Sequence, residues 1–509
     1  MSQLEGEARQ DALKEASDVA KGSGIAMGGV LVTRVLRLFN TWQLSHALGV
    51  YGFGLYTSIT TIVNILAYFG PLGMNSGVVL FGSRYQGSGE RERLKGALLA
   101  CFGIAGLTGT LLSLVYLGVA WLYPWAGDKT DLGALMPYGA LSIAAWSMLL
   151  VVVSALRVAR DVSGQTTVYN VTLPALVTAL SVVATGAGFG VRGALVAFGV
   201  AHLLTFGDAL RRFWRHFGAL IRDRSIIASV ELKPLLRFSL PESLSFMLFR
   251  LTQWMDQLQL TVQSTPDQVG IYKVASSMAL IGSVPASALS TIFNATAAEL
   301  LYLDKRDQLD HVLKLVTRWI VATGSAVTIG VVLGQDLVYA IFEPEYRDGA
   351  SSLVALLIGQ LVYTACVPAT ALIPMSGMSR LNLANGVAAA LLNFGLNVAL
   401  IPSYGAFGSS VATMITLILW SGWRVLQVWR LLHCFPLTWG STGVMAVAVA
   451  GAWLIRASLD GQGILVHGLA AVVVPLAFLG ALWRLGRSPD DDIIVRPLRR
   501  KLQRIFGRR

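Results

Sequence analysis

The chain alternates long apolar runs with short polar segments, and this pattern predicts its fold class. Apolar runs of about 20 residues, long enough to cross a hydrocarbon core of ~30 Å as an α-helix, recur over nearly the whole sequence. A transmembrane β-barrel needs segments of ~10 residues that alternate apolar with polar side chains, and a run such as LLSLVYLGVAWLY does not alternate. The pattern predicts an all-α polytopic membrane protein with about 14 transmembrane helices. The predicted spans are 23–46, 52–80, 96–123, 134–156, 166–187, 190–209, 238–263, 268–298, 313–334, 347–374, 381–401, 405–423, 439–456 and 463–483.

Composition and charge placement agree with a membrane protein. The chain is 54% hydrophobic and 13% charged, whereas a soluble domain has roughly 25% charged residues. The net charge of +12 does not indicate nucleic-acid binding, because 32 of the 40 Lys and Arg residues lie in or beside the termini and the loops after even-numbered spans. Four lie on the opposite side. This asymmetry is the positive-inside pattern, and it predicts an even number of helices with both termini cytoplasmic.

The second half of the chain repeats features of the first at an offset of 216 residues. The segment Gly54-Leu55-Tyr56 matches Gly270-Ile271-Tyr272, and Arg34 matches Arg250. With a one-residue gap, GVRGALVA (190–197) matches GAFGSSVA (405–412). Six helices in each repeat make the repeat parallel, and transporters of this kind bind solutes near mid-bilayer between the halves. The repeat predicts two six-helix lobes around a central cavity, followed by a C-terminal helix pair.

The repeat and the charged segments together predict the domain organisation. The segment 211–237 mixes Arg with Trp, Phe and Leu at helical spacing, which is typical of an amphipathic helix on the cytoplasmic leaflet; a solvated basic linker is the alternative. The predicted parts are a cytoplasmic N-tail (1–22), an N-lobe (23–210), this linker (211–237), a C-lobe (238–436), an extra helix pair (437–484) and a basic cytoplasmic tail (485–509).

Charged and amide side chains interrupt two predicted spans that the repeat makes equivalent, the first and the seventh. An ion inside a membrane is costly, so an ionisable residue there is a functional candidate by default. Guanidinium groups match phosphate oxygens bidentately, so we predict a cavity that binds an anionic solute. The predicted cavity residues are Arg34, Arg37, Asn40, Arg250, Gln253 and Gln257, and Asp256 is the candidate for carrying a coupling ion, H⁺ or Na⁺.

A structural role for the same side chains is the alternative. Arg250 could pair with Asp256 or with backbone carbonyls and only hold helices together, and Asp256 could equally be its partner. Arg34 and Arg37 have no carboxylate within reach on their own helix, which favours a binding role for them.

Catalytic, cofactor and metal sites are not indicated. The six histidines do not cluster, and the spacings of Cys101, Cys366 and Cys434 match no metal site. The outer loop 334–350 carries several carboxylates, which are typical of a solvated loop. We therefore expect no catalytic residue, no metal and no cofactor apart from a coupling ion or the membrane potential.

Three segments resemble a known family. The order of residues in LNFGLNVALIPSYGAFGSSVAT (392–413) is similar to the pattern of the polysaccharide transporter branch of the multidrug/oligosaccharidyl-lipid/polysaccharide flippase superfamily. The segments LIPMSGMSR (372–380) and 48–85 resemble further parts of that family. The resemblance implies a flippase of the bacterial inner membrane that moves undecaprenyl-pyrophosphate-linked oligosaccharide by alternating access. It also implies cationic residues in the cavity, here Arg34, Arg37 and Arg250, and a polysaccharide polymerase and co-polymerase as partners.

Two other functions stay open on the sequence. A cation-coupled drug antiporter of the same superfamily usually has twelve helices and cavity carboxylates, whereas the embedded charge here is mostly positive. A membrane glycan polymerase or glycosyltransferase would need a sizeable outer loop rich in acidic, Arg or His residues, and the sequence shows none.

Overall fold

A computed structural model describes residues 2–126 and 130–486, and within them it contains helices and no strand. The predicted basic tail therefore lies outside the described residues from position 487 onward. The helices are α1 (Ser2–Phe69), α2 (Met74–Ser88), α3 (Arg91–Ala126), α4 (Thr130–Leu135), α5 (Ala140–Val158), α6 (Val162–Thr166), α7 (Leu173–Gly186), α8 (Gly190–Arg222), α9 (Leu232–Gln263), α10 (Pro266–Ala279), α11 (Val284–Tyr302), α12 (Arg306–Leu333), α13 (Gln335–Ile341), α14 (Ala350–Met375), α15 (Ser379–Leu432), α16 (Trp439–Ser458) and α17 (Ile464–Gly486).

Eleven stretches of the described residues are long and apolar enough to cross a membrane, so the prediction of an all-α polytopic membrane protein is confirmed. Two of them, Val32–Ser88 and Ser379–Leu432, each hold two predicted spans around an internal break. The polar helix α9, predicted as the seventh span, is not among the eleven. The number fourteen therefore stays a prediction.

The chain divides into two compact units, Met1–Gly270 and Ile271–Arg509. Unit 1 contains α1 to α9 and the first residues of α10. Within it, α9 packs against α1 and α2, although the repeat assigns this helix to the C-lobe. The lobe boundaries inferred from the repeat stay predictions.

The core of unit 1 forms where α3, α5 and α8 pack together, with α2 beside α5. Leu98, Cys101, Leu149 and Val152 are completely buried there, and Phe213 of α8 is nearly so. Burial of Phe213 explains why α8 extends to Arg222: residues 211–222 continue this helix and place apolar side chains in the core. The amphipathic part of the predicted linker is thus the end of α8, and only 223–231 is non-helical.

Glycine and proline interrupt the helices of unit 1 at two places. Gly49 takes a positive φ of 66° inside α1, a conformation that glycine adopts without steric cost. The predicted span 52–80 is not continuous, because α1 ends at Phe69 and Gly70–Gly73 form a turn before α2. Pro71 lies in this turn, and Gly73 has a φ of 78°. The turn therefore interrupts the helix completely.

Unit 2 is built around α12 and α14. The helix α14 packs along α15, and α12 packs against α11 and α14. The extra pair, α16 and α17, packs on α12. Gly330 of α12 faces the carbonyl of Ala471. Pro475, four residues later, has no N–H group to donate the usual helical hydrogen bond to this carbonyl.

The break in α15 lies later than predicted. Pro402 lies inside the helix, and the chain departs from helical geometry at Gly405, with a φ of 52°. The predicted span 381–401 thus continues through Pro402 to Gly405, because glycine, rather than the proline, takes the left-handed conformation. The repeat-equivalent Gly190 has a φ of 56° and begins α8, so the first glycine of the motif has a positive φ in both units.

Candidate functional site

Aromatic side chains from α5, α9 and one π-helical segment of unit 1 surround Tyr68 near the end of α1. The ring centre of Tyr68 lies 5.4 Å from that of Trp146 on α5, 5.4 Å from Trp254 on α9 and 6.0 Å from Phe246 on α9. The hydroxyl groups of Tyr68 and Tyr169 lie 2.5 Å apart. We refer to Tyr68, Trp146, Tyr169, Phe246, Trp254 and Arg250 as the Tyr68 cluster.

Close packing of α1 against α5 positions Tyr68. The Ser147 hydroxyl of α5 donates a hydrogen bond of 3.1 Å to the carbonyl oxygen of Ala67. Gly70 lies so near this hydroxyl that a Cβ atom would overlap it. The turn at Gly70–Gly73 therefore fixes the end of α1 on α5, and the Tyr68 ring is held against Trp146. Tyr169 reaches the cluster from a π-helical segment, Thr167–Thr172.

Arg250 contributes the charge of the cluster. Its guanidinium carbon lies 4.9 Å from the ring centre of Tyr68 and 5.1 Å from that of Phe246, within the range of cation–π attraction. The Nε atom is buried and has no hydrogen-bond partner among the described residues. No described carboxylate lies within ion-pair distance of Arg250, so the expected alternative of pairing with Asp256 is not seen. Aromatic faces hold this cation while its hydrogen-bond donors stay available for an anion.

The other predicted cations lie on α1. The charge of Arg37 acts electrostatically on the Tyr68 hydroxyl, more weakly than that of Arg250. The side chain of Arg37 is exposed and that of Arg34 is half-buried. The space beside Tyr68, Arg250 and Trp254 has a volume of about 10 Å³, which holds at most one water molecule. A ligand headgroup would enter only if α9 moved away from α1.

The predicted amide residues and Asp256 occupy other positions. Gln257 is buried and accepts a hydrogen bond of 2.9 Å from Thr61, which joins α9 to α1. Asn40 contacts the Tyr56 hydroxyl. Gln253 is exposed and Asp256 is half-buried on α9. Of the predicted cavity residues, Arg250 is the one whose contact with Tyr68 is seen in the described part of the chain, and the binding role of all of them stays a prediction.

The family model for "polysaccharide biosynthesis protein" matches residues 19–295 of the chain, which is more than half of its length. The chain belongs to this family. Among curated proteins, none matches the sequence.

Solved structures show the fold of this polysaccharide biosynthesis protein in two kinds of transporter. A lipid II flippase, MurJ, in an inward closed conformation is similar with a TM-score of 0.71 and 14% identity, covering 90% of this chain and 98% of the other. An inward-facing multidrug resistance transporter of the MATE family and MOP superfamily has a TM-score of 0.64 and 14% identity, covering 79% and 94%. The MATE transporter DinF-BH has a TM-score of 0.57 and 15% identity, covering 83% and 97%. At these identities the likeness shows the fold, and it confirms the superfamily resemblance of the sequence.

The aromatic part of the site in this family member was not predicted from the sequence. Tyr68 and Tyr169 each lie in an apolar run, where a phenolic hydroxyl requires a partner, and each proves to be the partner of the other. Trp254 lies four residues after Arg250 on α9, one helical turn away, and this spacing was the available signal.

Arg424 of unit 2 was also missed, because the predicted span ended at 423. It lies inside α15 with a side chain that is 8% exposed. Its Nη2 atom donates hydrogen bonds of 2.8 Å to the carbonyl of Thr370 and of 3.0 Å to Oδ1 of Asn382. Its guanidinium carbon lies 5.0 Å from the Trp420 ring centre. Arg424 therefore joins α14 to both ends of α15. No cluster of three or more His, Cys, Asp or Glu side chains suited to a metal is found in the described residues.

Proposed function

We propose that this protein is a flippase for undecaprenyl-pyrophosphate-linked oligosaccharide repeat units. It would move them by alternating access from the cytoplasmic to the outer leaflet of the bacterial inner membrane, for O-antigen, capsule or exopolysaccharide synthesis. The observation that carries the proposal is Arg250, a cation held by aromatic rings with no described acidic partner, in a chain of a polysaccharide biosynthesis family with a transporter fold.

The charge and geometry of the Tyr68 cluster suit a pyrophosphate. A guanidinium offers planar forked donors that bind two phosphate oxygens at once. Arg250 is stacked on Tyr68 and Phe246 and forms no ion pair with a carboxylate in the described part of the chain, and the charge of Arg37 also acts on the Tyr68 hydroxyl. Separation of α9 from α1 would open the space beside Arg250 to the headgroup, whereas the present packing closes this space.

The proposal extends to location and coupling. We expect both termini on the cytoplasmic side, in agreement with the distribution of Lys and Arg. Transport would be driven by H⁺, Na⁺ or the membrane potential, with Asp256 as the candidate ion carrier. A polysaccharide polymerase and co-polymerase would use the flipped product.

The decisive experiment joins a gene deletion with extraction of lipid-linked sugars. The flippase hypothesis predicts that undecaprenyl-linked repeat units accumulate and surface polymer is lost, and mass measurement then identifies the glycan. Complementation with Arg250→Ala or Arg34→Ala should abolish export at an unchanged protein level. Arg215→Ala, an exposed arginine at the end of α8, serves as the control and should restore export. Normal export with both Arg250→Ala and Arg34→Ala would refute the binding proposal.

A drug antiporter is the second candidate, because two of the similar structures are multidrug transporters. The same deletion strain separates the two functions. Normal glycans together with new sensitivity to cationic drugs would assign the protein to the antiporters. If the lipid-linked units lack sugars rather than accumulating as complete repeat units, the result would indicate the third function, a membrane glycosyltransferase.

A further inference from the structure

Three charged or ionisable side chains meet in unit 2 where the extra helix pair reaches α13. Asp336 lies in the first turn of α13, Arg456 lies in the last turn of α16, and His467 lies near the start of α17. They line a cavity of about 310 Å³ together with Arg347 and Asp460. This site lies outside the Tyr68 cluster, and the proposed function gives it no role.

The Nδ1 atom of His467 contacts two groups of opposite charge. It lies 3.2 Å from Oδ2 of Asp336 and 3.3 Å from Nη1 of Arg456. A ring nitrogen either carries a proton and donates, or presents a lone pair and accepts. Without a proton, this nitrogen can accept a hydrogen bond from Arg456, but its lone pair is repelled by the Asp336 carboxylate. With a proton, it can donate to Asp336, but its N–H group is repelled by the Arg456 guanidinium. Both contacts cannot be satisfied at once.

Arg456 has an alternative partner. It forms ion pairs of 2.8 Å with Asp336 and 3.4 Å with Asp460, and its Nε is buried without a hydrogen-bond partner among the described residues. Asp460 is mostly exposed, so it can follow a movement of Arg456. The guanidinium can therefore leave His467 without losing every anionic partner.

We propose that His467 is a proton-binding site, and that its protonation strengthens its pairing with Asp336 and displaces Arg456 toward Asp460. His467 is only 2% exposed, so the proton would reach it through the cavity. The site ties α16 and α17 to α13, and the proton thus controls how the extra helix pair is attached within unit 2. The inference does not depend on the proposed flippase function.

The charge of the cavity then depends on one group. The titratable and charged side chains that line it are Asp336, Arg347, Arg456, Asp460 and His467. The helix α12, which packs on α16 and α17, carries no titratable side chain over 320–333. Two arginines balance two aspartates, so a protonated His467 gives the cavity one net positive charge.

Cysteine labelling in the intact, detergent-purified protein tests the proposal. Gln462→Cys places a thiol on the cavity wall, and Cys101, Cys366 and Cys434 are buried and give the background rate. The measured quantity is the ratio of the labelling rates of an anionic and a cationic methanethiosulfonate reagent, in which the ionisation of the thiol cancels. On acidification from pH 8 to pH 5.5 this ratio should rise about sevenfold, because one added unit charge at ~7 Å in a water-like medium attracts the anionic reagent and repels the cationic one by about one RT each.

Two variants decide the assignment to His467. In a His467→Gln background the ratio should not change with pH, since every other lining group is retained. An equal rise in that background would overturn the proposal, as would a constant ratio with His467 present. Because His467→Gln could misfold, Asp336→Asn provides a second test: the rise should begin at lower pH, because the protonated ring has lost its carboxylate partner. A rise at the unchanged pH would also contradict the proposed pairing.

Discussion

The backbone at Gly54 packs directly against the carbonyl oxygen of Pro266, so closely that a Cβ atom would overlap it. A second contact has the same form: a Cβ atom on Gly270 would lie 2.6 Å from the carbonyl oxygen of Val50. Gly54 and Gly270 are 216 residues apart, as are Val50 and Pro266. The two contacts, both within unit 1, are therefore images of each other under the sequence repeat.

Substitution of either glycine should force the two segments apart. We expect Gly54→Ala and Gly270→Ala each to lower stability by about 1–3 kcal/mol, the usual cost of overpacking, because the obstructing atom is backbone and cannot rotate away. The measurement is the midpoint of thermal unfolding in detergent. Gly103→Ala on α3, where a Cβ atom meets nothing within 4 Å, should be neutral or slightly stabilising. Equal midpoints for all three variants would contradict the close packing.

The attraction between Tyr68 and Arg250 can be measured with a double-mutant cycle. Tyr68→Leu and Arg250→Met should each destabilise the protein. The double variant should be destabilised by less than the sum of the two single effects. The difference should be about 0.5–2 kcal/mol for a partly buried cation–π pair. The quantity to measure is the free energy of unfolding from denaturant titration in micelles.

Tyr68→Phe separates the ring from the hydroxyl group. It should retain the coupling to Arg250 and lose only the contact with Tyr169, at a cost of about 1 kcal/mol. If Tyr68→Phe abolishes the coupling as Tyr68→Leu does, the ring does not hold the guanidinium. Purely additive effects in the first cycle would lead to the same conclusion.

Asp256→Asn tests ion coupling with little change of shape. If Asp256 carries H⁺ or Na⁺ during transport, the substitution should remove the stimulation of flipping by that gradient in proteoliposomes, since an amide does not take up the ion. Glu242→Gln makes the same chemical change at an exposed position of α9 and should leave the stimulation intact. An unchanged gradient dependence in Asp256→Asn would give Asp256 a structural role.

Local patterns in the sequence predicted much of the fold. The apolar runs predicted the membrane helices, and in the segments 190–197 and 405–412 that the repeat matched, Gly190 and Gly405 both take a positive φ. The polar character of α9 also agrees with the structure, since Gln257 and Thr261 bond across to α1 at Thr61 and Ser58.

Other features depend on contacts that a linear pattern does not contain. The predicted twelfth span ended before Arg424 because this residue is charged. The helix nevertheless continues for eight more residues to Leu432, and the Arg424 guanidinium is bound by partners on other parts of the chain. Tyr68 resembled any aromatic residue of an apolar run, and only packing against α5 and α9 makes it the centre of a cluster. Position in three dimensions, rather than residue type, distinguishes these two residues.

Arg424 supplies a hydrogen bond that α14 cannot make for itself. Pro374 has no N–H group, so the carbonyl of Thr370, four residues earlier, lacks its helical donor, and Nη2 of Arg424 donates to it at 2.8 Å. Arg424→Met should therefore destabilise the protein by about 1.5–3 kcal/mol, the usual worth of a hydrogen bond to a charged group. Arg424→Lys should recover only part of the lost stability, since an ammonium group cannot reproduce the planar donor geometry of a guanidinium group. Arg430→Met, at an exposed position of the same helix, is the control and should have little effect on the unfolding midpoint.

Restoring the missing backbone donor should reduce the cost of losing Arg424. In a Pro374→Ala background the N–H of residue 374 can bond the Thr370 carbonyl within α14, so the carbonyl is no longer left unsatisfied when Arg424→Met is added. We expect the destabilisation by Arg424→Met to be smaller by about 1 kcal/mol in that background. The remainder would reflect the lost contacts to Asn382 and Trp420. An undiminished cost would show that these contacts, and not the carbonyl left by Pro374, determine the role of Arg424.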